Sequence, residues 1–456
     1  MLDTRKVLCG FMGWAWMATA LAGVPETPRF RVVGVGDGLP SSSINVIARD
    51  HAGYIWLATP DGLARYDGIG VRVWRHEPGN VDALPGNNVQ ALHVDAQDRV
   101  WVATEGGGIS VLDAQRRHFR HYRMAAYPQI GSDDTWAIAS RGGVLWFGTY
   151  GGGLHRLARD GRITRFMPDE SDPHSLPADT VMTLAFDARG VLWIGTTAGV
   201  ARWNGRGFQR IALPRQTSAP IVFSLTVDGD ALWAGTSVGV FRRGPDGRWV
   251  APSWSPMFER PNAMTAIARD RNGQFWIGSQ RGLWRTRADG IPAPVRGNGP
   301  GIAKAVPTLL LQDDGALWAP VPGVGLGYLR SDWRQLAQFA RSADGLSGEL
   351  YRGIAPARHG GVWLAGFSGA PERLGIDGVV ERMPPHTLAL LRDVRFTAIV
   401  EDAHGTVWLG HRQGLVRVDA NGAVRQWREG DATDGTLPGQ ADLLRIAPDG
   451  SLWLSC

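Results

Sequence analysis

Apolar positions along this chain come in short alternating runs, and the three-and-four spacing of a long amphipathic helix is absent. Ile44-Asn45-Val46-Ile47-Ala48 is one such run, and successive side chains of an extended strand fall on opposite faces. The runs end at turns of the form Asp-x-x-Gly, as at Asp50/Gly53, Asp187/Gly190, Asp270/Gly273 and Asp402/Gly405. In such a turn aspartate bonds the backbone two residues on, and glycine takes the positive φ that closes the hairpin. A tryptophan follows, then an apolar residue, a small one and usually Thr or Ser: Trp56-Leu57-Ala58-Thr59, Trp193-Ile194-Gly195-Thr196, Trp276-Ile277-Gly278-Ser279. A glycine six residues past the tryptophan (Gly62, Gly152, Gly199, Gly239, Gly282, Gly414) opens a third run, Gly62-Leu63-Ala64-Arg65-Tyr66. Val71-Arg72-Val73-Trp74 or Gly207-Phe208-Gln209-Arg210-Ile211 makes a fourth. The pattern therefore predicts four short strands per unit.

The unit repeats. Trp56, Trp101, Trp146, Trp193, Trp233, Trp276, Trp318, Trp363, Trp408 and Trp453 lie at intervals of 45, 45, 47, 40, 43, 42, 45, 45 and 45 residues, the period of a four-stranded propeller blade. One such sheet cannot bury both faces, so it must stack on its neighbours, and an indole is a suitable residue for that seam. Ten blades exceed the usual four to eight in a ring. Phe30-Arg31-Val32-Val33 before Asp37-Gly38-Leu39, and Trp333 to Phe339 before Asp344-Gly345-Leu346, look like two equivalent beginnings. The expected fold is all-β: a seven-bladed β-propeller over residues 29–331, closed by the strand near Phe30, then an incomplete second propeller of about three blades over 332–456. A final pair of runs stopping at Cys456 reads as truncated.

Composition narrows the class further. Gly (61), Pro (28) and Trp (20) suit many strands joined by turns. The net charge of +5 is carried by basic residues of which only Lys6 and Lys304 are lysine, a bias that genomic codon usage explains, and no basic run marks a nucleic-acid surface. Arg5 and Lys6, the apolar run from Val7 to Leu21 and Ala20-Leu21-Ala22 read as a signal peptide over residues 1–22, hence an exported, periplasmic protein. Past that segment only Cys456 remains, so no disulfide framework is expected.

The phrases Gly38-Leu39-Pro40-Ser41-Ser42-Ser43-Ile44-Asn45, Gly53-Tyr54-Ile55-Trp56-Leu57-Ala58-Thr59 and Asp61-Gly62-Leu63-Ala64-Arg65-Tyr66-Asp67-Gly68 closely resemble the two-component regulator propeller repeat. The resemblance covers nearly all of the chain after residue 22. It implies the periplasmic sensor half of a membrane receptor, usually followed by an Ig-like linker, a transmembrane helix and a kinase or cyclase output module. This sequence departs from that plan, with no long apolar run past the leader and nothing like a kinase ATP site.

Motifs for catalysis are weak. Gly106-Gly107-Gly108 and Gly151-Gly152-Gly153 precede no helix, so they read as strand-connecting loops rather than phosphate cradles. His118 and His121 fall on opposite faces of one strand, and Asp169-Glu170-Ser171-Asp172 lacks the ligand alternation of a calcium loop. No metal, cofactor or catalytic residue is expected. In a propeller, the loops entering the innermost strands and those between strands two and three meet around the axis. There they bring Ser43, Asn88, Asp134, Asp179 and Asn262 from the first set, with Asp133 and Thr180 beside them, and Asp61, Glu105, Tyr150 and Arg281 from the second. Such a ring suits a small-molecule, oligosaccharide or peptide ligand. The off-register aromatics Trp136, Tyr150 and Phe223 are further candidates for it. The expected partners are that ligand and a homodimer mate or a membrane-bound output protein, with no nucleic acid. The alternative is an exported propeller enzyme resembling the streptogramin lyases, which would need a histidine with an acidic partner, or metal ligands, on the same face.

Overall fold

The computed structural model describes residues 28–113, 115–214, 218–287, 289–295, 304–333, 346–348, 350–375, 379–428 and 439–455. The leader read over residues 1–22, the second beginning at 334–345 and Cys456 lie outside them. The chain divides into two compact units, residues 28–334 and 335–456.

Seven antiparallel four-stranded sheets make up the first unit. Six follow chain order, for example Val46–Arg49, Ile55–Thr59, Gly62–Tyr66 and Val71–Trp74. The seventh takes Leu310–Leu311, Leu317–Val321 and Gly325–Leu329 from one end of the unit and Arg31–Gly34 from the other, with Val32 opposite Gly327.

In four of the sheets one carboxylate knots the first hairpin to the tryptophan. Asp50 Oδ1 accepts the Tyr54 amide at 2.9 Å while Oδ2 accepts the Trp56 indole N–H at 2.8 Å. Asp95 holds Trp101 at 2.8 Å, Asp187 holds Trp193 at 2.9 Å, and Asp402 holds Trp408 at 3.2 Å in the same way. A buried indole N–H needs an acceptor, and the turn residue supplies it without any added side chain. Thr59, Thr196 and Thr236 lock the next hairpin by donating to the carbonyls of Gly62, Gly199 and Gly239. Those glycines are required: Gly62 has φ +125°, and a Cβ there would lie 2.6 Å from the Trp74 carbonyl oxygen in the fourth strand.

The tryptophans pack forward onto the following sheet. Trp56 clusters with Leu92, Val100 and Val102, Trp193 with Leu225, Leu232 and Ala234, and Trp276 with Leu317 and Ala319. Trp318, in the seventh sheet, packs with Ile47 and Leu57 of the first, so the sequence of seams returns to its start. Arginine on the third strand lies directly across from the tryptophan in most sheets, as in Trp56↔Arg65, Trp233↔Arg242 and Trp276↔Arg285. Their guanidinium carbons sit 5.9, 5.7 and 5.1 Å from the indole centroids. The arginine bias thus has a structural use that codon preference alone does not convey, because a planar, weakly hydrated cation stacks on an aromatic face as an ammonium does not.

Residues 335–456 repeat the scheme. Tyr351–Pro356, Val362–Gly366, Glu372–Leu374 and Val380–Arg382 form one sheet. Phe396–Glu401, Val407–His411, Gly414–Val418 and Val424–Arg428 form the next, and Leu443–Ile446 pairs with Leu452–Ser455. Two features depart from the sequence reading. A six-residue helix, Pro385–Leu390, is inserted before the second sheet. Trp453 is not in a seam, being 68% exposed.

Candidate functional site

The first strands of neighbouring sheets lie side by side, and most begin with a β-bulge. Pairing skips one residue between Val89 and Ala91, Thr135 and Ala137, Val181 and Thr183, Val222 and Ser224, and Met264 and Ala266. The skipped residues are Gln90, Trp136, Met182, Phe223 and Thr265. A bulge re-aims its side chain and leaves it outside the ladder, which makes these five natural rim residues.

Backbone hydrogen bonds tie the rim loops into a band. Within a sheet, Glu105 N–H donates to Asn88 C=O at 2.9 Å and Tyr150 N–H to Asp134 C=O at 2.9 Å. Between sheets, Gly62 N–H donates to Asn87 C=O at 2.8 Å, Gly108 N–H to Asp133 C=O at 2.8 Å, and Gly153 N–H to Asp179 C=O at 2.7 Å. The structure therefore brings together Asp61, Asn88, Glu105, Asp133, Asp134, Tyr150, Asp179 and Thr180 along four consecutive sheets.

Their side chains differ in what they already do. The amide of Asn88 donates to Glu105 Oε2 at 2.8 Å, and Arg75 pairs with Asp61 at 3.0 Å. Asp179 Oδ1 accepts the Thr180 hydroxyl at 3.1 Å. Asn262 is buried, donating to Met257 C=O at 2.7 Å and accepting from the Ser279 hydroxyl at 2.8 Å, so it braces its own loop. Ser43 and Arg281 are exposed, and their backbone N–H groups donate to the nearby hydroxyls of Ser41 and Ser279. The bonds of Ser43, Asn262 and Arg281 thus serve their own loops, and these three residues stand apart from the band.

Aromatic side chains complete the rim. Trp136 and Tyr150 face solvent with 37% and 56% exposure and their rings 5.5 Å apart, while Asp134 Oδ1 accepts the Trp136 N–H at 3.2 Å. Arg260 stacks over Phe223 with 5.1 Å between guanidinium carbon and centroid. Trp136 and Phe223 reach the rim from inner strands, where loop positions alone do not place them. Their signal in the sequence is an aromatic at the second position of an inner strand, where other copies carry Gln, Met or Thr.

Beneath the rim lies His155, fully buried against Phe147 with rings 4.7 Å apart. Its Nε2 accepts the Gly131 N–H at 3.1 Å, and Arg165 holds the Gly152 carbonyl at 2.8 Å, so the two side chains fix the loops that present Asp134 and Tyr150. Burial, and then the Arg165 charge, lowers the His155 pKa to about 4.

Other candidates resolve into local structure. Gly106–Gly108 and Gly151–Gly153 are hairpin loops with positive φ at Gly106, Gly108, Gly151 and Gly153. Asp169 accepts both the amide and the hydroxyl of Ser171, which lower its pKa, and the turn it forms edges a cavity of about 990 Å³ lined by Arg165, His174, Arg206 and Phe208. His118 faces Asp82 at 3.4 Å, whereas His121 bonds the Ser110 hydroxyl at 2.8 Å, so the two do not share a site. Among the described residues no three His, Cys, Asp or Glu side chains are grouped to hold a metal, and no helix is long and apolar enough to cross a membrane.

Stacked four-stranded antiparallel sheets with inner strands side by side define a β-propeller. The two component regulator propeller family matches four stretches of the chain, residues 38–61, 83–106, 175–198 and 259–281. No curated protein matches the sequence significantly. Among solved structures it is similar to the extracellular domain of a hybrid two component system from B. thetaiotaomicron, with 19% identity, a TM-score of 0.55 and 94% of this chain covered. A second structure, described as the extracellular domain of a one component system from the same organism, aligns with 17% identity, a TM-score of 0.54 and the same 94% of this chain. The chain spans 57% and 65% of those two proteins. Virginiamycin B lyase from Staphylococcus aureus covers 66% of this chain with 98% of its own, at 14% identity and a TM-score of 0.51. At such identities the likeness concerns the fold.

Proposed function

We propose that this protein is the ligand-binding sensor propeller of an exported, two-component-type receptor, acting in the periplasm after removal of its leader. The seven sheets of residues 28–334 are then the blades of one closed ring, with Arg31–Gly34 as the closing strand, and residues 335–456 supply blades of a second, incomplete propeller. The ligand, an oligosaccharide, a peptide or another small polar molecule, sits at the rim, and the event passes to a membrane-bound output protein. The observation that supports this reading best is the exposed Trp136–Tyr150 pair beside Asp134, on loops fixed from below by His155 and Arg165. Aromatic faces left in water next to ordered hydrogen-bonding groups are the makings of a recognition surface, and loops braced in advance lose little entropy on binding.

Thermal unfolding in the presence of oligosaccharides and short peptides tests it. A ligand at a hundredfold its Kd stabilises the folded state by about 2.7 kcal/mol, a rise of a few degrees in Tm. Trp136→Ala is expected to weaken binding by about thirtyfold while leaving the unliganded Tm close to wild type. A shift that survives Trp136→Ala unchanged would place the ligand elsewhere. The lyase-like alternative calls for a histidine and carboxylate at this same rim. The His–carboxylate pairs among the described residues, His51–Asp98 at 3.6 Å and His118–Asp82 at 3.4 Å, belong to other loops, and turnover of a streptogramin would be the result that revives that reading.

A further inference from the structure

Four of the repeat tryptophans meet a carboxylate six residues back in the chain. Asp50, Asp95, Asp187 and Asp402 each accept an indole N–H, at 2.8, 2.8, 2.9 and 3.2 Å. In the seventh sheet that position is Gln312, and the Trp318 N–H has no acceptor although the residue is only 8% exposed. The same sheet departs from the pattern a second time. Across from its tryptophan stands Tyr328, where Trp56, Trp233 and Trp276 face an arginine. The guanidinium of this row comes from the closing strand instead, because Arg31 lies opposite Tyr328.

Both departures open onto one cavity. About 250 Å³ is left between the seventh sheet and the first, lined by Arg31, Tyr66, Asp67, Gln312, Trp318 and Tyr328. The rings of Tyr66 and Tyr328 lie 5.9 and 4.5 Å from that of Trp318. In the clasped sheets the N–H edge of the indole points at the residue six positions back, which here lines the cavity, so the unpaired donor is aimed into it. Asp67 does not serve as its acceptor, being engaged by its own turn through the Ile69 and Gly70 amides at 2.9 and 2.8 Å. Trp233 also lacks an acceptor. There, however, Arg242 keeps its place across the sheet, and Trp254 and Phe275 pack on the indole with centroids 5.9 and 5.0 Å away.

We propose that this cavity binds a small aromatic carboxylate, one oxygen of which takes the place of the missing aspartate. The carboxylate accepts the Trp318 N–H and pairs with Arg31, while the ring packs among Tyr66, Trp318 and Tyr328. A buried donor left without an acceptor costs about 1–3 kcal/mol, which a ligand oxygen recovers on binding. The charge of Arg31 favours a carboxylate over a neutral acceptor, and three aromatic walls favour a flat ring. A cavity of about 150 Å³ holds benzene, so the space here accommodates a ring with its carboxylate. The inference goes beyond the rim reading and stands on the seam alone.

Benzoate titrated into the full chain, isotopically labelled at tryptophan nitrogen and followed by NMR, tests the site. The Trp318 indole N–H resonance, identified as the one lost in Trp318→Phe, is expected to move downfield and to saturate with a submillimolar Kd. Benzamide has the same shape without the charge and should bind about tenfold more weakly. Gln312→Asp supplies the carboxylate from within the chain. Its Trp318 resonance should already sit downfield without ligand, which identifies the signal while leaving the packed ring in place, and its benzoate affinity should fall by about a hundredfold. A Trp318 resonance that ignores benzoate at about ten millimolar, equal affinity for benzamide, or a Gln312→Asp protein that binds benzoate as the wild type does, overturns the proposal.

Discussion

Replacing Trp56 by alanine is expected to lower the unfolding free energy by about 4–5 kcal/mol, a large share of the margin that a domain of ordinary stability has. The indole is fully buried at 0% exposure, stacked on Trp74 with centroids 5.1 Å apart and overlain by Arg65 and Arg116. Truncation opens a cavity between two sheets and strips Asp50, itself buried, of its indole donor. The cavity and the lost indole bond act together, so the loss belongs at the upper end for a large-to-small change. Trp56→Phe weights the two causes differently, because it deletes the N–H while keeping most of the volume. It should cost about 1–3 kcal/mol. Urea denaturation followed by circular dichroism reads both variants. A loss below about 1 kcal/mol for the alanine variant would mean that this seam does not hold the sheets.

Acid should weaken the first unit well before its carboxylates protonate. His155 titrates near 6.5 when unfolded and at about 4 in the fold, so the unfolded chain binds the extra proton throughout that window. Stability is therefore complete above pH 6.5 and falls as the pH drops toward 4, by about 3 kcal/mol in all at 1.36 kcal/mol per unit. Burial also lowers the pKa of His93, which bonds the Ser140 hydroxyl at 2.8 Å, and this adds to the loss with the same sign. Asp95, whose pKa lies below 3.8, contributes its own loss only at still lower pH, so the two effects separate along the pH axis. His155→Leu is expected to be less stable at pH 7.5, because Gly131 N–H loses its acceptor, yet to show a flatter slope between pH 6.5 and 4. Parallel slopes for the two proteins would exclude His155 as the source.

The repeat was legible because each of its rules is local. Asp50, Gly53, Trp56, Thr59 and Gly62 lie within one pair of hairpins, and their spacing alone predicts the turns that the structure contains. What crosses strands or sheets was harder to see. That Asp50 grips Trp56 through its second oxygen, and that Arg65 lies across from the same indole, are consequences of register rather than of adjacency. The rim shows the same division. Loop positions such as Asn88, Glu105, Asp134 and Tyr150 could be aligned from the repeat and do join one hydrogen-bonded band. The placement of Trp136 and Phe223 depends on a bulge, one extra residue in a strand, and alternation alone does not announce it. His155 was silent because a single histidine in a third strand looks like any other half-buried polar residue. Its role appears only when Gly131 folds over it.

The central claim is that tryptophan seams run from sheet to sheet and that Arg31–Gly34, pairing with Gly325–Leu329, locks the last sheet to the first. Native-state hydrogen exchange in the closing strand tests this most directly. If the seams close on themselves, hydrogen-bonded amides of Arg31–Gly34 will exchange with nearly the same free energy as those of Ile55–Thr59, by opening of the whole unit. Exchange of the closing strand at the rate of a free peptide, with Ile55–Thr59 still protected, would contradict it.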